Sequence, residues 1–222
     1  MKCVLSFFIF VFSLTQTSAQ LFAHVGGTVG FGQSKILGEK TEFEKVKDIQ
    51  NFSVGLVGEH RFDSPFLITT GVSLTGVGDS TIYTRSEVSN NTTVTSINRY
   101  KNMRYYLQVP IYVGFAIPTG EDNAAIMIKA GAYYGSLIGS RTSGKERLIS
   151  GTMVTDTLID AKGFYPYPKR DIGLVGTVGY GTDEYSVEFR FNKGLTSLFN
   201  QPGDLPKYNF AYMVTLTGYL PN

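Results

Sequence analysis

Eight segments of this chain alternate with a period of two residues, and every second connection between them is short. They run from Leu21 to Phe31, Ile49 to Phe62, Phe66 to Thr84 and Tyr100 to Ile117, then Ala124 to Ile138, Asp171 to Tyr180, Tyr185 to Leu195 and Lys207 to Tyr219. None keeps a helical period, and a two-residue period marks strands with two distinct faces. Asp63-Ser64-Pro65, Pro118 to Asn123 and Gly181 to Glu184 are tight turns rich in Pro, Gly, Asp and Thr. Gly32 to Asp48, Arg85 to Arg99, Gly139 to Arg170 and Thr196 to Pro206 are long links. Antiparallel strands joined this way put both termini and all the tight turns at one end. That is the layout of an eight-stranded transmembrane β-barrel, with short periplasmic turns and four long extracellular loops.

The faces agree with that layout. Tyr105, Leu107, Val109, Ile111, Val113, Phe115 and Ile117 form one side of the fourth segment; Tyr106, Gln108, Pro110, Tyr112, Gly114 and Ala116 form the other. Twelve steps of about 3.3 Å cross an apolar band about 25 Å tall even when tilted. Elsewhere Phe52, Val54 and Leu56 oppose Glu59 and Arg61, and Val187, Phe189 and Phe191 oppose Glu188 and Arg190. The fifth segment is ambiguous, because both of its faces carry tyrosine. Glu59, Arg61, Lys129, Glu188 and Arg190 therefore fit one side of a closed sheet. They are the candidate interior ion-pair set, since buried charges need opposite partners. A catalytic acid–base set is the other reading of the same residues. Phe62, Phe66, Tyr100, Tyr180 and Tyr185 are placed at the membrane interfaces as aromatic girdles. Pro110 lacks an N–H, so a bulge or an unpaired ladder position is expected there; an edge strand of a soluble sandwich is the alternative.

Lys2, the apolar run Val4 to Leu14 and Thr17-Ser18-Ala19 have the order of a cleaved secretory signal. Residues 1–19 are read as that signal and 20–222 as one barrel domain. The sole cysteine, Cys3, lies inside the signal, so cysteine catalysis and cysteine metal sites are excluded. Without Lys2 the charges nearly cancel, 19 basic against 18 acidic, which gives no footprint for nucleic acid.

"YLQVPIYVGF" (Tyr106 to Phe115) resembles the Leu-x-Ile/Val-Pro-aliphatic segment of the outer-membrane β-barrel family of Bacteroidota, which includes the PorT-like proteins. "DIGLVGTVGYG", "VEFRFNKGLTSL" and "YNFAYMVTLTGYL" resemble that family's Gly-rich hairpin, its Arg-aromatic strand and its closing strand. The resemblance spans nearly the whole chain after the signal. It implies an eight-stranded barrel in the outer membrane, and it carries over no catalytic residue. The PorT member is linked to protein secretion. Leu220-Pro221-Asn222 departs from the pattern by lacking a terminal aromatic.

Chemical motifs are weak. Gly139 to Glu146 nearly matches a phosphate loop but ends on Glu146 where a hydroxyl is needed, and no helix follows. A flexible polar loop is the expectation there. His24 and His60 have no neighbouring serine in a hydrolase spacing, and two histidines without cysteine are too few for a specific zinc site unless carboxylates complete it. No cofactor is expected. The Gly139 to Arg170 link carries Arg141, Lys145, Arg147, Lys162, Lys169 and Arg170 against Glu146, Asp156 and Asp160, a net of +3. It also carries Tyr165 and Tyr167. Arg141, Lys145, Arg147, Tyr165, Tyr167, Lys169 and Arg170 are the candidate binding set, for lipopolysaccharide phosphates or for a surface or secretion-machinery protein; aromatics folded back on the barrel rim are the alternative. The functional expectation is a non-enzymatic outer-membrane barrel that acts through its loops. A lipid-modifying barrel enzyme and a soluble lipocalin-like carrier are the alternatives.

Overall fold

A computed structural model describes residues 24–39, 41–62, 65–89, 92–120, 124–162, 167–198 and 205–221. The expected signal, Tyr165 and parts of two tight turns lie outside these. The described residues form ten strands: β1 (His24–Gly38), β2 (Glu44–Lys47), β3 (Ile49–Arg61), β4 (Phe66–Ser89), β5 (Thr92–Pro118), β6 (Ala125–Ser150), β7 (Met153–Lys162), β8 (Arg170–Gly181), β9 (Tyr185–Gly194) and β10 (Lys207–Tyr219). Eight of them close a ring in the order β1, β3, β4, β5, β6, β8, β9, β10, because β1 pairs with both β3 and β10. All pairings are antiparallel. Closure leaves the ring without an unpaired edge, as a wall in lipid requires.

The alternation expected from the sequence sets the faces. Val109, Ile111, Val113, Phe115 and Ile117 are exposed on the outside, while Tyr106, Gln108, Pro110 and Tyr112 are buried inside. The ambiguous segment resolves the same way: Ile126, Ile128 and Tyr134 face out, and Met127, Lys129 and Tyr133 face in. The Phe62, Phe66, Tyr180 and Tyr185 girdle lies exposed at the end that carries the short turns. Tyr100 is buried, so its place in the girdle is a misassignment; it shares the parity of Tyr106 and points inward.

The larger departure is strand length. β4, β5 and β6 run 24, 27 and 26 residues, whereas β8, β9 and β10 run 12, 10 and 13. Two of the long links are therefore mostly sheet. Arg85 to Arg99 lies largely in the β4–β5 hairpin, whose ladder runs out to Ser89 opposite Thr92. Gly139 to Ser150 continues β6, so the segment resembling a phosphate loop is a strand, not a flexible loop. Gly151, at φ 58°, opens the two-residue turn into β7, where a residue without a Cβ is favoured. The first link is shortened as well, since β1 reaches Gly38 and β2 pairs with β4.

Pro110 is accommodated without a bulge at its own position. Its pairing with Tyr133 of β6 is regular, and the register shift on that side falls at Tyr105/Tyr106. On the other side the ladder runs from Thr70 opposite Ile111 to Ser73 opposite Gln108, without rungs for the two residues between. The missing N–H faces this gap, and the Pro110 carbonyl accepts a hydrogen bond from the Thr70 hydroxyl at 2.8 Å instead.

Candidate functional site

Two places on this frame concentrate chemistry: the lumen and the sheet that rises above the apolar band. The lumen is built from every second residue of each strand, so its polar groups meet across the barrel. Lys129 of β6 reaches Glu188 of β9 at 2.7 Å and Glu59 of β3 at 3.3 Å. Arg61 bonds the other Glu59 oxygen at 2.9 Å and Asp183 of the β8–β9 turn at 2.7 Å. Glu59 is fully buried, and Thr69 also donates to it. Room for these long side chains comes from glycine. A Cβ on Gly114 would lie 2.7 Å from Lys129 Cγ, and one on Gly179 would lie 2.7 Å from Glu188 Cγ.

Four of the five interior candidates thus meet in one network. Arg190 does not join it. Its Nε bonds Asn192 at 2.9 Å and its guanidinium lies 6.0 Å from the Tyr112 ring. A cavity of about 40 Å³ beside it is lined by Thr69, Ser73, Pro110, Tyr112 and Thr177 among others.

A second buried pair escaped the sequence reading. Arg104 bonds Asp79 at 2.8 Å, with both side chains fully buried. Asn102 and Thr81 also donate to Asp79. Parity would have found it: Arg104 lies in phase with Tyr106 and Gln108, and Asp79 in phase with Ser73 and Thr75. Tyr167 covers this pair, its ring 5.0 Å from the Arg104 guanidinium, and it packs with Ile36 and Leu198. The expectation of an exposed binding aromatic at Tyr167 is corrected: it is buried over the barrel mouth. Glu44 and Lys207 pair beside it.

The other binding candidates lie on the protruding sheet. Arg141, Lys145 and Arg147 are on β6 and pair with β7. Arg141 bonds Asp160 at 2.7 and 2.9 Å, Lys145 bonds Asp156 at 2.6 Å, and Arg147 bonds Asp156 at 2.9 Å. Asp156 is exposed, yet hydrogen bonds from Arg147 and then Lys145 hold its carboxyl well below the usual range. Lys169 and Arg170 are exposed where the chain re-enters the barrel at β8, away from that cluster in the ladder.

The histidines sit at the end with the short turns. His24 lies 3.9 Å from Asp183 and edge-on to Tyr219; His60 stacks edge-on against Phe62 at 4.6 Å. Among the described residues neither bonds a serine, and no cluster of three or more His, Cys, Asp or Glu could hold a metal ion.

One family model agrees with this architecture. The family described as "Outer membrane protein beta-barrel domain" matches residues 15–200. No curated protein matches. Among solved structures the chain is similar to Ail, the attachment invasion locus protein of Yersinia pestis, at 11% identity and TM-score 0.37, covering 89% of this chain and 98% of that one. It is similar to OprG of Pseudomonas aeruginosa at 11% identity and TM-score 0.38, covering 90% and 95%. It is similar to Neisserial surface protein A at 8% identity and TM-score 0.35, covering 88% and 97%.

Proposed function

This chain belongs to the outer membrane protein beta-barrel family, and we propose that it is a non-enzymatic binding protein of the cell surface. The observation that carries this reading is the doubled length of β4, β5 and β6. A spanning strand needs about 9–11 residues. The 24 to 27 residues here leave more than half of each strand outside the apolar band. A barrel whose only task were to sit in lipid needs no such wall. The tip presents apolar side chains to water: Val88, Met153 and Leu158 are 76%, 73% and 81% exposed. These side chains offer a partner apolar surface to cover.

The lumen supports a binding role over transport. Ion pairs and tyrosines fill it, and the cavity beside Arg190 is of water size. It supports binding over lipid hydrolysis too, because neither histidine is set beside a nucleophile. The partners in this reading are outer-membrane lipid with its lipopolysaccharide, and a surface or secretion-machinery protein of the kind PorT-like barrels serve. Residues 1–19 act as the cleaved export signal. The test is deletion of residues 143–159, which removes the β6–β7 tip but spares every strand within the apolar band. The shortened protein is expected to insert and keep a faster-migrating unboiled band on SDS gels. It is expected to lose cross-links formed on intact cells from a probe at position 160. Failed insertion, or unchanged cross-links, would sink the reading.

A further inference from the structure

The outward face of the protruding sheet is lipid-facing below and cationic above. Alternation carries the lipid-facing side of β5, through Leu107, Tyr105 and Met103, directly into Lys101 and Arg99. Ladder pairing then assembles three cross-strand rows. Lys47, Ser80, Lys101, Ser143 and Asp160 make the first; Lys45, Ile82, Arg99, Lys145 and Leu158 the second; Thr84, Ile97, Arg147 and Asp156 the third. Together they hold six cations and two carboxylates. Asp160 is taken by Arg141 from below, and Asp156 is shared by Lys145 and Arg147. Among the described residues Lys45, Lys47, Arg99 and Lys101 form no ion pair.

At the centre of these rows Ile97, Arg99, Lys145 and Arg147 enclose a notch of about 130 Å³. Lys145 and Arg147 share one carboxylate there and Arg99 has none, which leaves an uncompensated positive charge at the mouth of the notch. The other face of the same strands is different. There Tyr100 bonds Glu146, and Arg85 pairs with Glu87. The positive excess is thus a property of one face, not of the whole sheet.

We propose that this face binds the phosphates of neighbouring lipopolysaccharide, with the Arg99–Lys145–Arg147 notch as the seat of one phosphate group. Height favours this source. Arg99 is four residues above Met103, about 13 Å along the strand. That is the zone of phosphorylated head groups and inner sugars just outside the apolar band. The face also looks sideways along the wall, toward neighbouring lipid rather than toward bulk medium. Arginine forks suit phosphate oxygens, and several cations in register raise local phosphate density. The proposal deepens the surface-binding reading and rests on the sheet standing outside the cell.

The test uses the full chain extracted in detergent and titrated with lipopolysaccharide, with the same material stripped of phosphate, and with inorganic phosphate. Binding is expected to be at least tenfold tighter with the phosphates present. Combined Arg99→Gln, Lys145→Gln and Arg147→Gln is expected to abolish that ratio, and Arg85→Gln on the opposite face to preserve it. Phosphate-independent binding, or equal loss with Arg85→Gln, would overturn the proposal. So would competition by inorganic phosphate at lipopolysaccharide-like concentrations, which would leave a free-phosphate seat instead. A parallel Thr152→Cys variant, treated on intact cells with a membrane-impermeant maleimide, separates the two readings. Labelling without phosphate preference discards the phosphate site and keeps the surface platform; absence of labelling discards both.

Discussion

The chain builds carboxylate–cation pairs in two regions, and their surroundings give them opposite meanings. In the lumen, Lys129 is bound between Glu59 and Glu188 with every partner at most 7% exposed. On the protruding sheet, Asp156 takes Lys145 and Arg147, and Arg141 takes Asp160, with all five side chains 33% exposed or more. The contact distances are alike. Water is what differs. Inside, each charge has left solvent, so its partner is obligatory. Outside, water competes for every group and salt screens it, so the pairs add little to stability and are free to exchange partners. The lumen pairs are therefore fixed structural parts. The outer pairs are a charged surface that another ligand can enter.

The largest expected effect tests the obligatory half. Lys129→Met leaves Glu59 and Glu188 without their shared cation and should cost about 3–5 kcal/mol. Urea titration of the folded, SDS-resistant band would read this as a large drop in midpoint. Adding Glu188→Gln should recover much of it, because Glu59 keeps Arg61. If Lys129→Met alone unfolds at the wild-type midpoint, the lumen is wetter than its burial implies and the contrast collapses.

The wall between the regions gives the next effect. Val109→Arg places a charge on the lipid face near mid-depth and should cost about 2–4 kcal/mol. Gln108→Ser, one residue away on the lumen side, should be much milder. Equal tolerance in a refolding assay into lipid vesicles would mean that the outer face does not meet lipid.

Much of this arrangement was legible in the sequence, and the reason is the fixed two-residue period. Once one charged residue of a strand was placed inside, the whole face followed, and this put Glu59, Lys129 and Glu188 in the lumen. Partner choice was not legible, because it depends on stagger between strands. Gly179 stands opposite Glu188 and Thr177 opposite Arg190, and Lys129 of the next strand reaches Glu188. Arg190 is left with Asn192 and Tyr112. Strand ends depart from the sequence expectation where the sheet leaves lipid. Above the membrane both faces meet water, so the apolar alternation that marks a strand in the band disappears. Thr92 to Ile97 reads as polar linker, although its β-branched residues suit a strand. The girdle assignment of Tyr100 fails for the same reason, since β5 continues past it.

The mouth of the barrel, where the two regions meet, should respond at an intermediate level. Tyr167→Phe keeps the ring over Arg104 and should be nearly silent. Tyr167→Leu removes the ring face and should cost about 0.5–2 kcal/mol. Loss of stability with the phenylalanine variant as well would assign the effect to the Tyr167 hydroxyl, not to the ring over the buried cation.

The smallest effect belongs to the outer pairs and is best read through pH. Asp156 lies within reach of water on the outer sheet, so its pairs should barely move the midpoint of the barrel; Asp156→Asn should leave urea unfolding unchanged. What it should change is the local pairing of β6 with β7. Because Arg147 and Lys145 hold the carboxyl below its ordinary range, its contribution to the hairpin is fully present above an unfolded pKa of about 4. It is lost only as pH falls through the lower folded value. Proteolysis of the β6–β7 tip should therefore proceed at the same rate at about pH 7 and about pH 5 in wild type, and faster at both in Asp156→Asn. An Asp156→Asn rate equal to that of wild type would show that water has already taken the pair apart. The outer region would then be a set of independent charges rather than a weakly paired one. Arg147 and Lys145 would be free for an incoming phosphate without first giving up Asp156.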